Sequence, residues 1–317
     1  MTRSSRRGFA LIAALALLVL ISVVALGLSA AARPRRLAVA ASAERTAATS
    51  AATAGIEHAR AVLTRLEPVA LGRLTRVPSL LRDPWKPANG LVIGPRSAGA
   101  YVYRVELHDA YARLNLNGAS EDQLRRLLIG LHVDARRADR IAQAIADWRD
   151  HDQLHRTNGA EREDYIRGGV PILPGDANFD DVGTLRFVLG MTDALYDSVA
   201  PYLTIMGDGG INLNAAPRAV LLALPGMTEG SVTALLRARA AGRPPADLNE
   251  LIALLPAGAS VQLRAAIPVL RNIVTFETRE MLVTSVASQP GAGTRVQLDA
   301  IISRDAGGRV TWRRVAR

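Results

Sequence analysis

Cysteine is absent from the 317-residue sequence. That removes disulfides, thiolate zinc sites and cysteine nucleophiles together, while leaving the compartment open. Aromatic residues amount to only 4%, so a core has to be built mainly from Ala, Leu and Val. Lysine is almost missing: Lys86 stands alone, and the formal net charge of +10 is carried by arginines dispersed along the chain. Dispersal of that kind gives at most a weak basic face, and no nucleic-acid partner is expected from it. No nucleophile elbow, Walker A loop or G-x-G-x-x-G after a strand is present, so the chain reads as a non-enzyme. What is abundant is apolar: a hydrophobic content of 49% excludes general disorder. The length suits one to three domains.

From Phe9 to Ala32 run 24 residues without a charge. At about 1.5 Å of rise per residue they are long enough to cross a hydrocarbon core of roughly 30 Å. Arg3, Arg6 and Arg7 precede the stretch, which keeps the start in the cytoplasm and sends the remainder across. Two other fates are open to such a segment. "LSAAA" at 28–32 offers small residues to a signal peptidase, and "SRRGFAL" resembles a twin-arginine signal, as a soluble exported enzyme would carry. Helical character continues past it, however. Ala40, Ala43, Ala47, Ala51 and Ala54 recur at three and four spacing, with Val62 and Leu66 closing the stripe, and Pro34 is expected to bend this rod rather than end it.

A short basic leader, a glycine, then a phenylalanine opening an apolar helix (Arg6-Arg7-Gly8-Phe9) resembles the prepilin peptidase site of type IV pilin-like proteins. The resemblance implies a leader of residues 1–8, cleavage between Gly8 and Phe9, methylation of the new terminus and a transmembrane helix over 9–33. Most such proteins carry Glu at the fifth position after the cut, and this sequence has Ala13 there. The glutamate is thought to neutralise a neighbour's terminal amine, and an unpaired carboxylate in hydrocarbon is costly. A subunit with nothing ahead of it needs none. In this respect the chain resembles minor pseudopilin K of type II secretion systems.

Proline and glycine crowd residues 67–100, which read as a loop-rich connection. Strands are predicted at 101–107, 280–288, 294–303 and 309–317, the last three joined by "QPGAG" and "RDAGG" turns. One strand before a helical block and three after it indicate a discontinuous domain. The expectation is an α+β fold with a long amino-terminal transmembrane and amphipathic helix. Residues 34–112 and 273–317 would form a pilin-like antiparallel unit, interrupted by an all-α insertion at 113–272.

Inside the insertion, "RLNLNGASEDQLRRLL" from residue 113 and "GINLNAAPRAVLLALPGM" from residue 210 share an N-L-N signature before an amphipathic helix. Two related subdomains of helix-hairpin-helix or SAM-like type follow, at 113–205 and 210–272. Asn117 and Asn214 are expected as helix N-caps, with Ser120 competing in the first copy. "LPGMTEG" at 224–230 approaches the phosphate-binding hairpin of DNA-binding modules. Thr228 stands where a glycine belongs, and Glu229 would repel phosphate; the first copy has "LIGLHVD" with Asp134 nearby. A packing scaffold is the better reading, with an exported DNA-binding protein as the alternative.

The most polar stretch, 147–181, interleaves Asp147, Asp150, Asp152, Glu161, Glu163, Asp164, Asp176, Asp180 and Asp181 with Asn158, Gly159 and Asn178. Oxygen-only donors on a glycine-containing loop suit Ca²⁺, although no EF-hand spacing is present. The alternative is a solvated loop whose carboxylates cap helices and pair with arginines. His151 and His155 in "HDQLH" approach the zinc-protease motif, but Asp152 is a carbon short of its usual base. The resemblance to pseudopilin K also implies calcium, without fixing the ligands; Asp150, Asp152, Glu161 and Asp164 are the candidates. It further implies a structural role at the tip of the secretion pseudopilus, with minor pseudopilins I and J and the prepilin peptidase as partners. The location implied is the inner membrane, with a single pass and the bulk of the chain in the periplasm.

Overall fold

The computed structural model describes residues 4–71, 83, 85–291 and 293–316, with side chains described for these except 4–13, 24–37, 67–71, 87 and 312–316. The chain opens with α1 (Ser4–Leu71), 68 residues of unbroken helix that pass through Pro34. Gly8, Phe9 and Ala13 lie on it, their side chains outside the described set, and residues 1–3 of the expected leader are outside it altogether. Among the described residues no helix is long and apolar enough to cross a membrane. The part of 9–33 with described side chains, residues 14–23, is exposed throughout.

The second half of α1 buries Ala48, Ala51, Ala52, Ile56, Ala59 and Leu63, a three-and-four spacing that forms one face of a helix. Alanine at four of these positions lets the backbone approach the sheet closely. On the opposite face the hydroxyls of Thr46, Thr49, Ser50 and Thr53 bond back to carbonyls four residues earlier, so the polar face is satisfied locally.

After the segment 72–82, outside the description, come β1 (Val92–Ala98) and β2 (Tyr101–Asp109). The insertion contributes β3 (Leu114–Asn115), α2 (Glu121–Gly130), α3 (Ala135–Arg149), α4 (Arg162–Arg167), α5 (Asp193–Val199) and β4 (Leu203–Thr204). It continues with β5 (Ile211–Asn212), α6 (Arg218–Ala223), α7 (Glu229–Ala240), α8 (Leu248–Ala253), α9 (Ala257–Ile273) and β6 (Val274–Thr275). Strands β7 (Glu280–Ser288), β8 (Arg295–Ser303) and β9 (Arg309–Ala316) complete the chain.

The main sheet is antiparallel throughout, in the order β1-β2-β7-β8-β9. The four strands predicted from alternation are present to within two residues. In β2 the inward set is Tyr101, Tyr103, Val105, Leu107 and Asp109, and in β7 it is Met281, Val283, Ser285 and Ala287. These rows pack on α1 as a single layer. The edge strand β1 corrects the expectation of loop across 67–100. Its Gly94-Pro95 pair reads as a turn in sequence, but the ladder absorbs it as an irregularity between Ile93 and Arg96.

Each N-L-N segment opens a short parallel ladder, β3 with β4 and β5 with β6. The expected N-cap role of Asn117 and Asn214 is overturned. Ser120 caps α2 in a reciprocal box with Gln123, and α6 begins after Pro217. The two asparagines instead reach a carbonyl 62 residues downstream, Asn117 to Phe179 and Asn214 to Phe276. Half-buried arginines grip the following turn in both copies. Arg149 of α3 donates to the carbonyls of Leu116 and Ala119, and Arg239 of α7 to those of Ala216 and Ala215. The apolar residues of both copies form one continuous core from Leu114 to Leu270.

Insertion and sheet meet at a buried carboxylate. Asp109 Oδ2 accepts from Asn212 Nδ2 at 2.6 Å and from Thr278 Oγ1 at 2.7 Å, and its Oδ1 accepts from the Tyr111 amide. Asp83 closes the cluster by accepting from the Thr278 amide, the Trp85 amide and Arg304. Burial pushes Asp109 up to about 6, against the downward pull of its three donors. The unfolded chain releases this proton at lower pH, so the group's contribution to stability is complete below pH ~4 and is lost as pH rises through 6. Over that window we expect a loss of about 2–3 kcal/mol. Denaturant unfolding at stepped pH should show this slope in the natural chain and a flattened one in Asp109→Asn, whatever the variant's absolute stability.

Candidate metal centre

Helix α3 ends in a carboxylate. Its apolar face (Ile141, Ala142, Ile145, Trp148) is buried in the insertion core, which carries Asp147 inside with no exposure. Asp150 follows as the C-terminal flanking residue. The chain then crosses 151–160 without regular structure and re-enters helix at α4, with Glu161 just before it. Aromatic rings fix both ends of this crossing: Trp148 stacks on Phe179 at 5.8 Å and meets Tyr165 of α4 edge-on at 5.2 Å.

The crossing brings Asp150, Asp152 and Glu161 together, each offering an oxygen within 4.8 Å of the others. The fourth candidate, Asp164, stands apart from that group. Its Oδ2 accepts the Glu161 amide at 3.0 Å and lies 3.3 Å from His155 Nε2, while its Oδ1 takes Arg167. It therefore holds the start of α4. His151 and His155 sit on the irregular crossing, so their four-residue spacing does not align them on a helical face, and the zinc-protease pattern has no structural counterpart.

Asp147 is the residue that sequence reasoning passed over in choosing ligands. A carboxylate on the buried face of α3, between Ala144 and Trp148, was the available signal. Its Oδ1 accepts from Arg156 at 2.5 Å, and the same Arg156 nitrogen is 2.5 Å from Asp150 Oδ2. The other oxygens are left over: Asp147 Oδ2, Asp150 Oδ1 and both oxygens of Glu161 are buried without a hydrogen-bond donor among the described residues. Glu161 is 2% exposed. Burial, then the charges of Asp147 and Asp150, push its carboxyl up to about 7. A β-carbon at position 159 would lie 1.8 Å from Asp147 Oδ2, so only glycine allows the loop to fold onto this carboxylate.

Three carboxylates with four unpaired buried oxygens, and the exposed Asp152 beside them, form a donor set that a hard cation fits, because Ca²⁺ accepts six to eight oxygens in loose geometry. Buried acceptors left unmade are otherwise costly. Gly159→Ala is expected to lower stability by about 1–3 kcal/mol through overpacking. Thermal unfolding in the presence of chelator would measure it, and an unchanged midpoint would show that the loop does not depend on this close approach.

The second conspicuous motif serves packing. Thr228 and Ser231 cap α7 reciprocally, at 3.2 Å and 2.7 Å, which occupies amides that a phosphate would need. Gly226 turns with φ +69° and backs onto α9, where a β-carbon would meet Ala266 at 2.5 Å. Glu229 pairs with Arg218, and in the first copy Asp134 caps α3 through the amides of Arg136 and Arg137.

Comparison with known proteins agrees with the resemblance read from the sequence. A family profile described as Type II secretion system (T2SS), protein K matches residues 106–208. Type II secretion system protein K of Dickeya chrysanthemi is 39% identical over 82 residues, 26% of this chain and 22% of that protein. The protein of the same name in Klebsiella pneumoniae is 37% identical over 123 residues, 37% of this chain and 38% of that one. This chain thus covers less than half the length of these two relatives. A chain in the crystal structure of the GspK-GspI-GspJ complex from enterotoxigenic Escherichia coli shares the fold. The TM-score is 0.58 at 22% identity, over 84% of this chain and 96% of that one.

Proposed function

We propose that this chain is a minor pseudopilin of a type II secretion system, a non-catalytic subunit that sits at the tip of the pseudopilus with two partners corresponding to I and J. The observation that carries the reading is the fold shared with a chain of the GspK-GspI-GspJ complex across nearly the whole of both molecules. The protein K profile over the end of β2 and the first half of the insertion supports it.

In this reading the prepilin peptidase cuts between Gly8 and Phe9, and residues 9–33 anchor the protein in the inner membrane with the sheet and insertion in the periplasm. Residues 14–23 are apolar but for Ser22, and exposed throughout, as a surface for lipid or neighbouring helices would be. Ala13 leaves the helix without a carboxylate for a subunit ahead. The two related helical subdomains, of helix-hairpin-helix or SAM-like type, act as a bulky head that leaves no room for another subunit above. Calcium held by Asp150, Asp152 and Glu161, with Asp147 behind them, supplies the charge balance that ties the end of α3 to the start of α4.

Co-expression of the natural chain with its I and J counterparts should yield a complex that survives purification in detergent, and mass spectrometry should find the mature terminus at methylated Phe9. A mature chain starting near residue 32 and recovered without detergent would overturn the anchor. Recovery alone after co-expression would overturn the partnership. Calcium added to chelator-stripped protein should raise its unfolding midpoint by several degrees, as expected for a ligand at about 100 times its Kd.

A further inference from the structure

Arg156 occupies the middle of the acidic cluster, and the calcium reading above gives it no task. Resting on that reading, we propose that Arg156 is a resident counter-cation which the divalent ion has to displace, so that this residue sets the affinity of the site.

The geometry carries the argument. One terminal nitrogen of Arg156 lies 2.5 Å from both Asp147 Oδ1 and Asp150 Oδ2. Asp150 belongs to the group of three whose oxygens converge. The guanidinium therefore shares a carboxylate with the incoming ion and places a like charge beside it. As a neutralising group it is incomplete. It is planar, it carries one charge, and it leaves the buried oxygens of Glu161, Asp147 Oδ2 and Asp150 Oδ1 unpaired. A divalent ion brings two charges and accepts oxygens from many directions.

The arginine is also the member of the cluster able to leave. Its side chain is 36% exposed, whereas Asp147 is wholly buried, and it stands on the irregular crossing rather than on a helix. A second partner is at hand: Arg156 Nε is already 3.4 Å from Glu121 Oε2, in the first turn of α2, and that carboxylate is 41% exposed. Displaced from Asp147 and Asp150, the guanidinium retains an acid at the solvent boundary. Exchange of one cation for the other then alters the link between the acidic crossing and α2.

The test uses the full chain in detergent, stripped with EDTA and titrated calorimetrically with CaCl₂. Arg156→Gln should bind calcium about tenfold tighter or more than the natural chain, since removing a like charge a few ångströms away is worth at least a decade in affinity. The same variant should unfold at lower temperature than the natural chain in EDTA. Arg156→Lys, whose compact ammonium keeps the charge but loses the planar fork, should fall between the two, and it decides the matter if Arg156→Gln does not fold. Binding by the natural chain with equal or weaker binding by the variants would sink the proposal and leave the calcium reading standing. Absence of binding in all three would sink both. Binding confined to Arg156→Gln would show that the arginine keeps the ion out of the natural chain, and would sink both the displacement and the calcium reading.

Discussion

One carboxylate is touched at once by the sheet, the insertion and the returning chain. Asp109 ends β2, and two of its three donors, Asn212 and Thr278, come from the second N-L-N segment and from the approach to β7. The ladder requires this closure, because Asp109 pairs with Met281 directly across the strands. Bringing together points separated by on the order of 170 residues costs about 4–5 kcal/mol in the chain-length term alone. A latch of three buried hydrogen bonds, each worth roughly 0.5–1.5 kcal/mol, offsets part of that cost. Asp83 and Arg304 extend the cluster, so a short segment on each side of the insertion is locked by the same group.

Above the latch the insertion is built twice by one device. An asparagine at the strand end turns its side chain back onto the amide two residues on, Asn115 onto Asn117 and Asn212 onto Asn214. An arginine from a later helix then closes the turn. Burial lowers the pKa of both Arg149 and Arg239, yet each is fed by backbone carbonyls rather than by carboxylates. The continuous apolar core makes the two copies one body, and the hairpins between helices spend their capping groups inside it. A surface already satisfied in this way has little to give a phosphate.

Much of this is legible in the sequence. Alternation in 280–288 exposed β7, and the repeat was visible in two N-L-N segments. The misreadings share a cause: each assigned a local partner to a group whose partner is distant. Asn117 and Asn214 have the chemistry of caps, but their acceptors lie far downstream and only the folded chain brings them near. Gly94-Pro95 has the composition of a loop, and the pairing of Ile93 and Arg96 on either side of it with β2 is a tertiary fact. In the acidic stretch, Asp150 and Asp152 are neighbours in sequence and in space. Asp147 required knowing which face of α3 is buried, and Asp164 required knowing where α4 begins.

The helix α1 joins two very different surroundings without interruption. Its later half is fixed to the sheet by small residues, residues 14–23 of its earlier half are exposed, and at 68 residues it extends roughly 100 Å. Regular helix resists compression along its axis far better than a jointed chain does. Displacement along the axis of α1 would therefore be passed on to the β-sheet rather than taken up within the helix.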